Sequence, residues 1–345
     1  MEDLPGHNHA WLCDVSKAEP LVRDYLLNKG VKLFFKNRVI NVEKEENKIK
    51  AIILEDKTKA YGDVFIETTG STGSMSNCRA YGNGCSMCIL RCPSFGIRVS
   101  ISEKAGVKDL VGKRSNGKKG AMSGSCEIPR EGISDDLIKK LDKDGVVVLP
   151  MPKEDVHLDK LEEKVCQQYA TLDFAENVIL LDTGHIKVMT SYYPLDKLRK
   201  IPGLEKARYI DPLAGSLGNS IRYLAASPRT NSMKVIGLDN LFCAGEKSGF
   251  FIGHTEAITT GTLAGYNAVK YLKGKELLEL PRELSLGDII AYANDKVAEG
   301  NMEERYTFSG AGYFERMKKT GLYSTDKEKI KLRVQKTNLT NIFDG

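Results

Sequence analysis

The segment that most constrains this chain lies between Asn240 and Lys273. A short apolar strand, Leu241-Phe242-Cys243, runs into Ala244-Gly245-Glu246; glycines follow at Gly249 and Gly253, and a long helix is expected from about Thr255 to Leu272. Strand, glycine-rich turn and helix in direct succession belong to α/β folds, where the turn lets backbone come close to a ligand. The first N–H groups of the helix have no partner within it and its dipole is positive there, so its start suits a phosphate or an electron-rich ring edge. Glu246, at the strand end, can accept hydrogen bonds from a sugar-like hydroxyl chain. Ala257, Gly261 and Gly265, four apart, leave a bare stripe on which the helix can lie tight against a sheet or a cofactor. The same residues also suit a plain strand–loop–helix packed with small side chains.

The rest of the chain reads as a mixed α/β protein. Ala18 to Asn28 has apolar residues at helical spacing (Leu21, Val22, Tyr25, Leu26) and stops at Gly30. Strands are expected at Val31–Phe35, Val39–Glu43, Ile49–Leu54 and Asp63–Glu67, the last running into Thr68-Thr69-Gly70. A loop rich in Gly, Ser, Cys and Lys follows, with a strand at Ile97–Ile101. Helices are expected at Ser134–Leu141 and Asp155–Tyr169, and strands at Val146–Leu149, Val178–Leu181 and Ile186–Met189. Leu286–Val297, with Ser285 as N-cap, and Tyr313–Lys319 read as helices; the charged tail beyond Asp326 carries no assignment.

The run from Leu241 to Phe250, with Gly261-Thr262-Leu263-Ala264-Gly265-Tyr266-Asn267-Ala268 beyond it, resembles the C-terminal flavin-binding segment of the glucose-inhibited division protein A family, which includes the folate-dependent tRNA-uridine methyltransferases. Leu286-Gly287 with Ile289, Ile290 and Tyr292 resembles the helix that follows there. Asp14 to Val42 and Val64 to Gly70 resemble the family's helix-then-strand stretch and its strand ending in Thr-Gly. The resemblance covers roughly the first 75 and the last 110 residues, in segments. It implies a partial FAD/NAD(P)-binding Rossmann-like domain made from both ends of the chain, with an inserted α+β substrate domain and C-terminal helices. In numbers, 1–75 and 234–274 form the FAD-binding part, 76–233 the cysteine-bearing insertion and 275–345 the helical end. The residues expected to contact FAD are Thr69, Gly70, Ala244, Gly245, Glu246, Gly249, Gly253 and His254.

Two departures qualify the resemblance. No G-x-G-x-x-G follows an N-terminal strand, although that turn holds the pyrophosphate in such folds. The expectation is that one βαβ unit lies upstream, or comes from a dinucleotide-binding partner chain, or that flavin binding is weak or lost. Glu246 stands where the tRNA-modifying relatives usually carry Gln.

Four cysteines crowd together: Cys78, Cys85, Cys88 and Cys92, the last three as C-x2-C-x3-C-P. Thiolates so spaced can converge on one center. An iron–sulfur cluster, a zinc site, redox or catalytic thiols at Cys85 and Cys88 beside the flavin, and inert loop cysteines all remain open. His254 reads either as a proton donor beside the flavin or as an ordinary first-turn residue.

A net charge of +5 permits tRNA as a partner without arguing for it. No apolar run approaches the roughly 20 residues of a membrane-spanning helix, and the opening residues do not read as a signal peptide, so the cytoplasm is the expected compartment. The functional expectation is an FAD-dependent oxidoreductase transferring electrons or hydride between a small-molecule substrate and an electron donor or acceptor, with or without coupling to an iron–sulfur center. The alternatives are a flavin-dependent tRNA-uridine modification enzyme and a truncated or non-catalytic subunit that needs a partner chain.

Overall fold

The computed structural model describes residues 2–4, 7–12, 15–70, 99–113, 117, 119, 121–122, 126–158, 171–183, 185–189, 194–209, 221–222, 224–309 and 311–343. The chain opens with β1 (Glu2–Leu4) and β2 (His7–Leu12), an antiparallel pair, then α1 (Val15–Asn28). β3 (Val39–Glu45), β4 (Lys48–Leu54) and β5 (Lys59–Tyr61) form an antiparallel meander, turning at Glu46 with φ 49°. β6 (Phe65–Glu67) follows. After α2 (Ile101–Lys104), β7 (Leu110–Val111) and β8 (Ala121–Met122), a sheet is built from β9 (Cys126–Ile128), β10 (Val146–Pro150), β11 (Asn177–Thr183) and β12 (His185–Val188), in the order β10-β11-β12-β9, all antiparallel. Between these strands lie α3 (Asp135–Asp144) and α4 (Leu172–Glu176); α5 (Leu195–Leu198), β13 (Ile221–Arg222) and β14 (Ala225–Ala226) come after them. The chain ends with β15 (Leu241–Cys243) and four helices, α6 (His254–Leu272), α7 (Ser285–Ala298), α8 (Ala311–Lys319) and α9 (Lys327–Lys336).

Strand β11 shows how sequence becomes packing here. Its unbroken run Val178-Ile179-Leu180-Leu181 is buried on both faces: Val178 and Leu180 join Ile128, Leu137, Leu141 and Leu204 in one cluster, and Ile179 and Leu181 join Phe174 and Met189 in another. Helix α3 closes the first cluster. Asp135 and Asp136 sit in its first turn, where the dipole favors them, and Gly145, at φ 70°, ends it in the left-handed conformation.

A second core joins β15 to the C-terminal helices through Phe242, Leu263, Ala264, Ile289, Ile290 and Tyr313. Two buried asparagines set its geometry. Asn240 accepts from Ile49 N at 2.9 Å and donates to the carbonyls of Ile49 and Asp63, which clamps β4 to the start of β15 across 191 residues of sequence. Asn267 donates to the Ser232 and Leu278 carbonyls and accepts from Leu278 N at 2.7 Å, holding α6 to the turns beside it. At the far end, the Asp288 carboxylate of α7 takes hydrogen bonds from Tyr313 and from both Nε and Nη2 of Arg316 in α8.

Several sequence expectations change. Val31–Phe35 is not a strand: residues 31–34 have no regular secondary structure, Val31 N donates back to Leu26 O at 3.1 Å, and Phe34 and Phe35 are 74% and 64% exposed. Of the strand expected at Ile97–Ile101, residues 97 and 98 lie outside the described residues, 99 and 100 are not in a strand, and Ile101 opens α2, because the Ser100 side chain caps that helix by accepting from Glu103 N. Ser285 is the first residue of α7 rather than its cap, which is Leu284. Residues 159–170, most of the helix expected at Asp155–Tyr169, lie outside the described residues; Asp155 itself closes a 3₁₀ turn, Lys153–Asp155. The tail left unassigned contains α9, whose N-cap Asp326 accepts from Glu328 N and Lys329 N. No helix among the described residues is long and apolar enough to cross a membrane.

Candidate functional site

β6 and β15 pair in parallel, with Phe65 opposite Leu241 and Glu67 opposite Cys243. This register brings the two Gly-bearing ends to the same place: Thr69 and Gly70 leave β6 beside Ala244, Gly245 and Glu246 leaving β15. In open α/β sheets the crevice outside the carboxyl ends of parallel strands is where ligands bind. Gly70 and Gly245 have φ of 72° and 64°, the left-handed region in which a side chain would be strained. Residues Gly245–Ser248 make one 3₁₀ turn, with Glu246 half-buried in it. Gly245 N donates to the Thr260 hydroxyl at 2.8 Å, which ties the turn to the second turn of α6.

Helix α6 starts at His254. Gly253 precedes it at φ 141°, and a Cβ there would fall 2.2 Å from the Glu256 carboxylate, so glycine is required. His254 and Thr255 are exposed, whereas Glu256 is 2% exposed and accepts from Phe308 N at 2.6 Å. Burial pushes the Glu256 carboxyl above the usual glutamate range, against the pull of its backbone hydrogen bonds. The segment carrying Phe308 also seals the glycine loop: Ile252 N donates to Tyr306 O, and Tyr306 N to Phe250 O. The helix start is therefore partly met by the protein's own acid, with His254 on the outer side. Gly249 lies elsewhere in this loop, against the Phe251 ring.

Beneath the crevice is a buried polar cluster that sequence reasoning did not find. The Glu67 carboxylate accepts from Ile101 N, Ser102 N and the hydroxyls of Ser102 and Thr69, at 2.7–2.9 Å. Lys247, fully buried, donates to Ser100 Oγ at 2.8 Å and to Asp109 at 2.5 Å, with Glu67 3.9 Å away. Ser227 joins through the Ser102 hydroxyl at 2.5 Å. Burial, followed by repulsion from Asp109, raises the neighboring Glu103 carboxyl. The cluster anchors both lips of the crevice: Glu67 holds Thr69, and Lys247 holds the turn that carries Glu246. The sequence signals were a glutamate ending an apolar strand and a lysine inside a glycine turn, both unusual places for a charge.

Cys78, Cys85, Cys88 and Cys92 lie outside the described residues. Among the described residues no group of His, Cys, Asp and Glu is arranged to hold a metal. Cys243 is fully buried, and burial pushes its thiol up to about 12, so it is not a thiolate at neutral pH.

The fold and this crevice define an α/β protein of Rossmann-like type. The family model for glucose inhibited division protein A matches residues 4–173 and 167–276, and the chain belongs to that family. A methylenetetrahydrofolate--tRNA-(uracil-5-)-methyltransferase TrmFO of Enterococcus faecalis is 41% identical over 97 residues, 27% of this chain and 21% of the relative. A tRNA uridine 5-carboxymethylaminomethyl modification enzyme MnmG of Chlorobaculum tepidum is 41% identical over 88 residues, 25% of this chain and 13% of the relative. In structure, Aquifex aeolicus GidA superposes with a TM-score of 0.50 at 15% identity, covering 87% of this chain and 57% of that one. The matched stretches thus span about a fifth or less of those two sequence relatives, and little more than half of the structural one.

Proposed function

We propose that the chain takes part in flavin-dependent modification of tRNA uridine, with FAD held at the β6–β15 crevice. The observation that carries this reading is the parallel register that sets Thr69-Gly70 and Ala244-Gly245-Glu246 side by side. The crevice fits such a group: its lips are glycine backbone, Glu246 supplies an acceptor for ribityl hydroxyls, and the start of α6 with exposed His254 lies beyond. FAD supplies electron or hydride transfer when bound. In this reading Glu246 would accept hydrogen bonds from the ribityl hydroxyls, the backbone at Gly70 and Gly245 would allow close approach, and His254 would contact the ring or supply a proton.

A second feature favors tRNA over a small-molecule substrate. Helix α9 exposes Lys327, Lys329, Lys331 and Lys336 with none of its residues buried, cations available to phosphates.

Titration of the chain with FAD, read by flavin fluorescence, tests the cofactor. Glu246→Ala is expected to weaken binding about tenfold, or about 1.4 kcal/mol; equal affinity in both proteins removes Glu246 from the site, and no binding by folded protein ends the flavin reading. For the nucleic acid, tRNA affinity should fall with salt, and Lys329→Glu with Lys331→Glu should flatten the log–log slope by about 2. An unchanged slope takes α9 out of the interface.

A further inference from the structure

A cavity of about 260 Å³ opens between β14, the Gly249–Phe250 stretch and the C-terminal half of α7. Its walls are mainly apolar, with Leu110, Ala226, Phe250, Ala293 and Val297 among them. It carries one charge, Arg229, which is 4% exposed. The Arg229 guanidinium donates to the carbonyls of Ser248, Thr230 and Ile290 and lies over the Phe251 ring at 5.4 Å. Those three bonds use three of the five N–H groups of an arginine. No carboxylate lies within ion-pair distance of it among the described residues, and burial brings the guanidinium down to about 10. A buried cation of this kind is costly unless an anion compensates it. The hydroxyls nearby are already spoken for: Ser248 donates to Gly245 O, and Ser227 pairs with Ser102.

We infer that this cavity binds a small organic monoanion, a carboxylate on a short apolar body. The carboxylate takes the two remaining guanidinium N–H groups, a charge-assisted pairing whose strength grows as water is excluded. The apolar body lies against Phe250, Ala293 and Val297, and the mouth is at Ile236, 55% exposed, and exposed Ala298. A single cation in an apolar wall suits a monoanion rather than a phosphate, which asks for more donors. The inference is independent of the flavin reading.

Calorimetric titration of the full chain with benzoate, benzamide and inorganic phosphate tests it. Benzoate is expected to bind saturably, at least tenfold tighter than its neutral isostere benzamide and tighter than phosphate. Arg229 also staples Ser248 to Ile290, so its replacement can disrupt the fold; Ala298→Trp, at the exposed mouth, is the cleaner variant. It should abolish benzoate binding with the unfolding midpoint unchanged. Equal binding of benzoate and benzamide, preference for phosphate, no benzoate binding by natively folded protein, or benzoate binding that survives Ala298→Trp each overturns the inference.

Discussion

The N-terminal helix α1 and the C-terminal corner of β15, α6 and α7 look alike in sequence, since both carry apolar residues at helical spacing. They end up differently. In α1 and the stretch after it, Leu21, Val22, Tyr25 and Phe34 are 69%, 57%, 61% and 74% exposed. In the corner, Leu263, Ile289 and Ile290 are at most 1% exposed. Periodicity dictates the helix in both cases, but burial depends on whether another element presents a matching face. The corner has helix α8 and a buried ion cluster to close on; α1 has no such partner among the described residues.

The largest test of the contrast is Lys247→Met. It removes the one cation facing Asp109 and Glu67 among the described residues, and leaves Asp109, 2% exposed at the side chain and its direct partner, buried without a counter-charge. The expected loss is about 3–5 kcal/mol in chemical denaturation. Adding Asp109→Leu should recover part of it, because the two residues act as one network. A loss below about 1 kcal/mol would mean the cluster does not hold the corner together.

Next comes Leu263→Ala, a cavity mutation at a fully buried position of α6. About 2–5 kcal/mol should be lost, with the unfolding slope against denaturant unchanged.

What the sequence disclosed follows the same division. The β15–turn–α6 unit was legible because its signals are local: an apolar strand, glycines at the turn, and periodic apolar residues in the helix. Asn240, Glu67 and Lys247 were not, because each takes its meaning from a partner far along the chain, as with Glu67 and the N–H groups of Ile101 and Ser102. Helix α2 divides the same way: Ser100-Ile101-Ser102-Glu103 is a local capping signature, masked by the β-rich run Ile97–Ile101, whereas the bonds from its first N–H groups to distant Glu67 leave no local trace. Helix α9 escaped because it buries none of its residues and so shows no apolar stripe.

A smaller effect sharpens the comparison inside α6 itself. Its outer face carries Ile258, Val269 and Leu272 at 69%, 48% and 53% exposure, around Gly261 and Gly265, where an added Cβ would meet nothing within 4 Å. The stripe read from the sequence as a close-packing surface is thus open among the described residues. Gly261→Ala should stabilize the protein by about 0.5–1 kcal/mol through helix propensity. Loss of FAD affinity in that variant, with the gain in stability intact, would place the ligand on the stripe.

The smallest expected effect is at Tyr25→Ser in α1. The ring is 61% exposed, and among the described residues its aromatic–cation neighbor is Lys29, at 5.7 Å. Its removal should change stability by no more than about 0.5 kcal/mol, the range of ordinary surface substitutions. Circular dichroism through the unfolding transition, compared with the Leu263→Ala curve, decides it. A loss above about 1 kcal/mol would mean that α1 is covered in the folded protein in solution, and the contrast between the two regions would then reduce to a difference in what covers them.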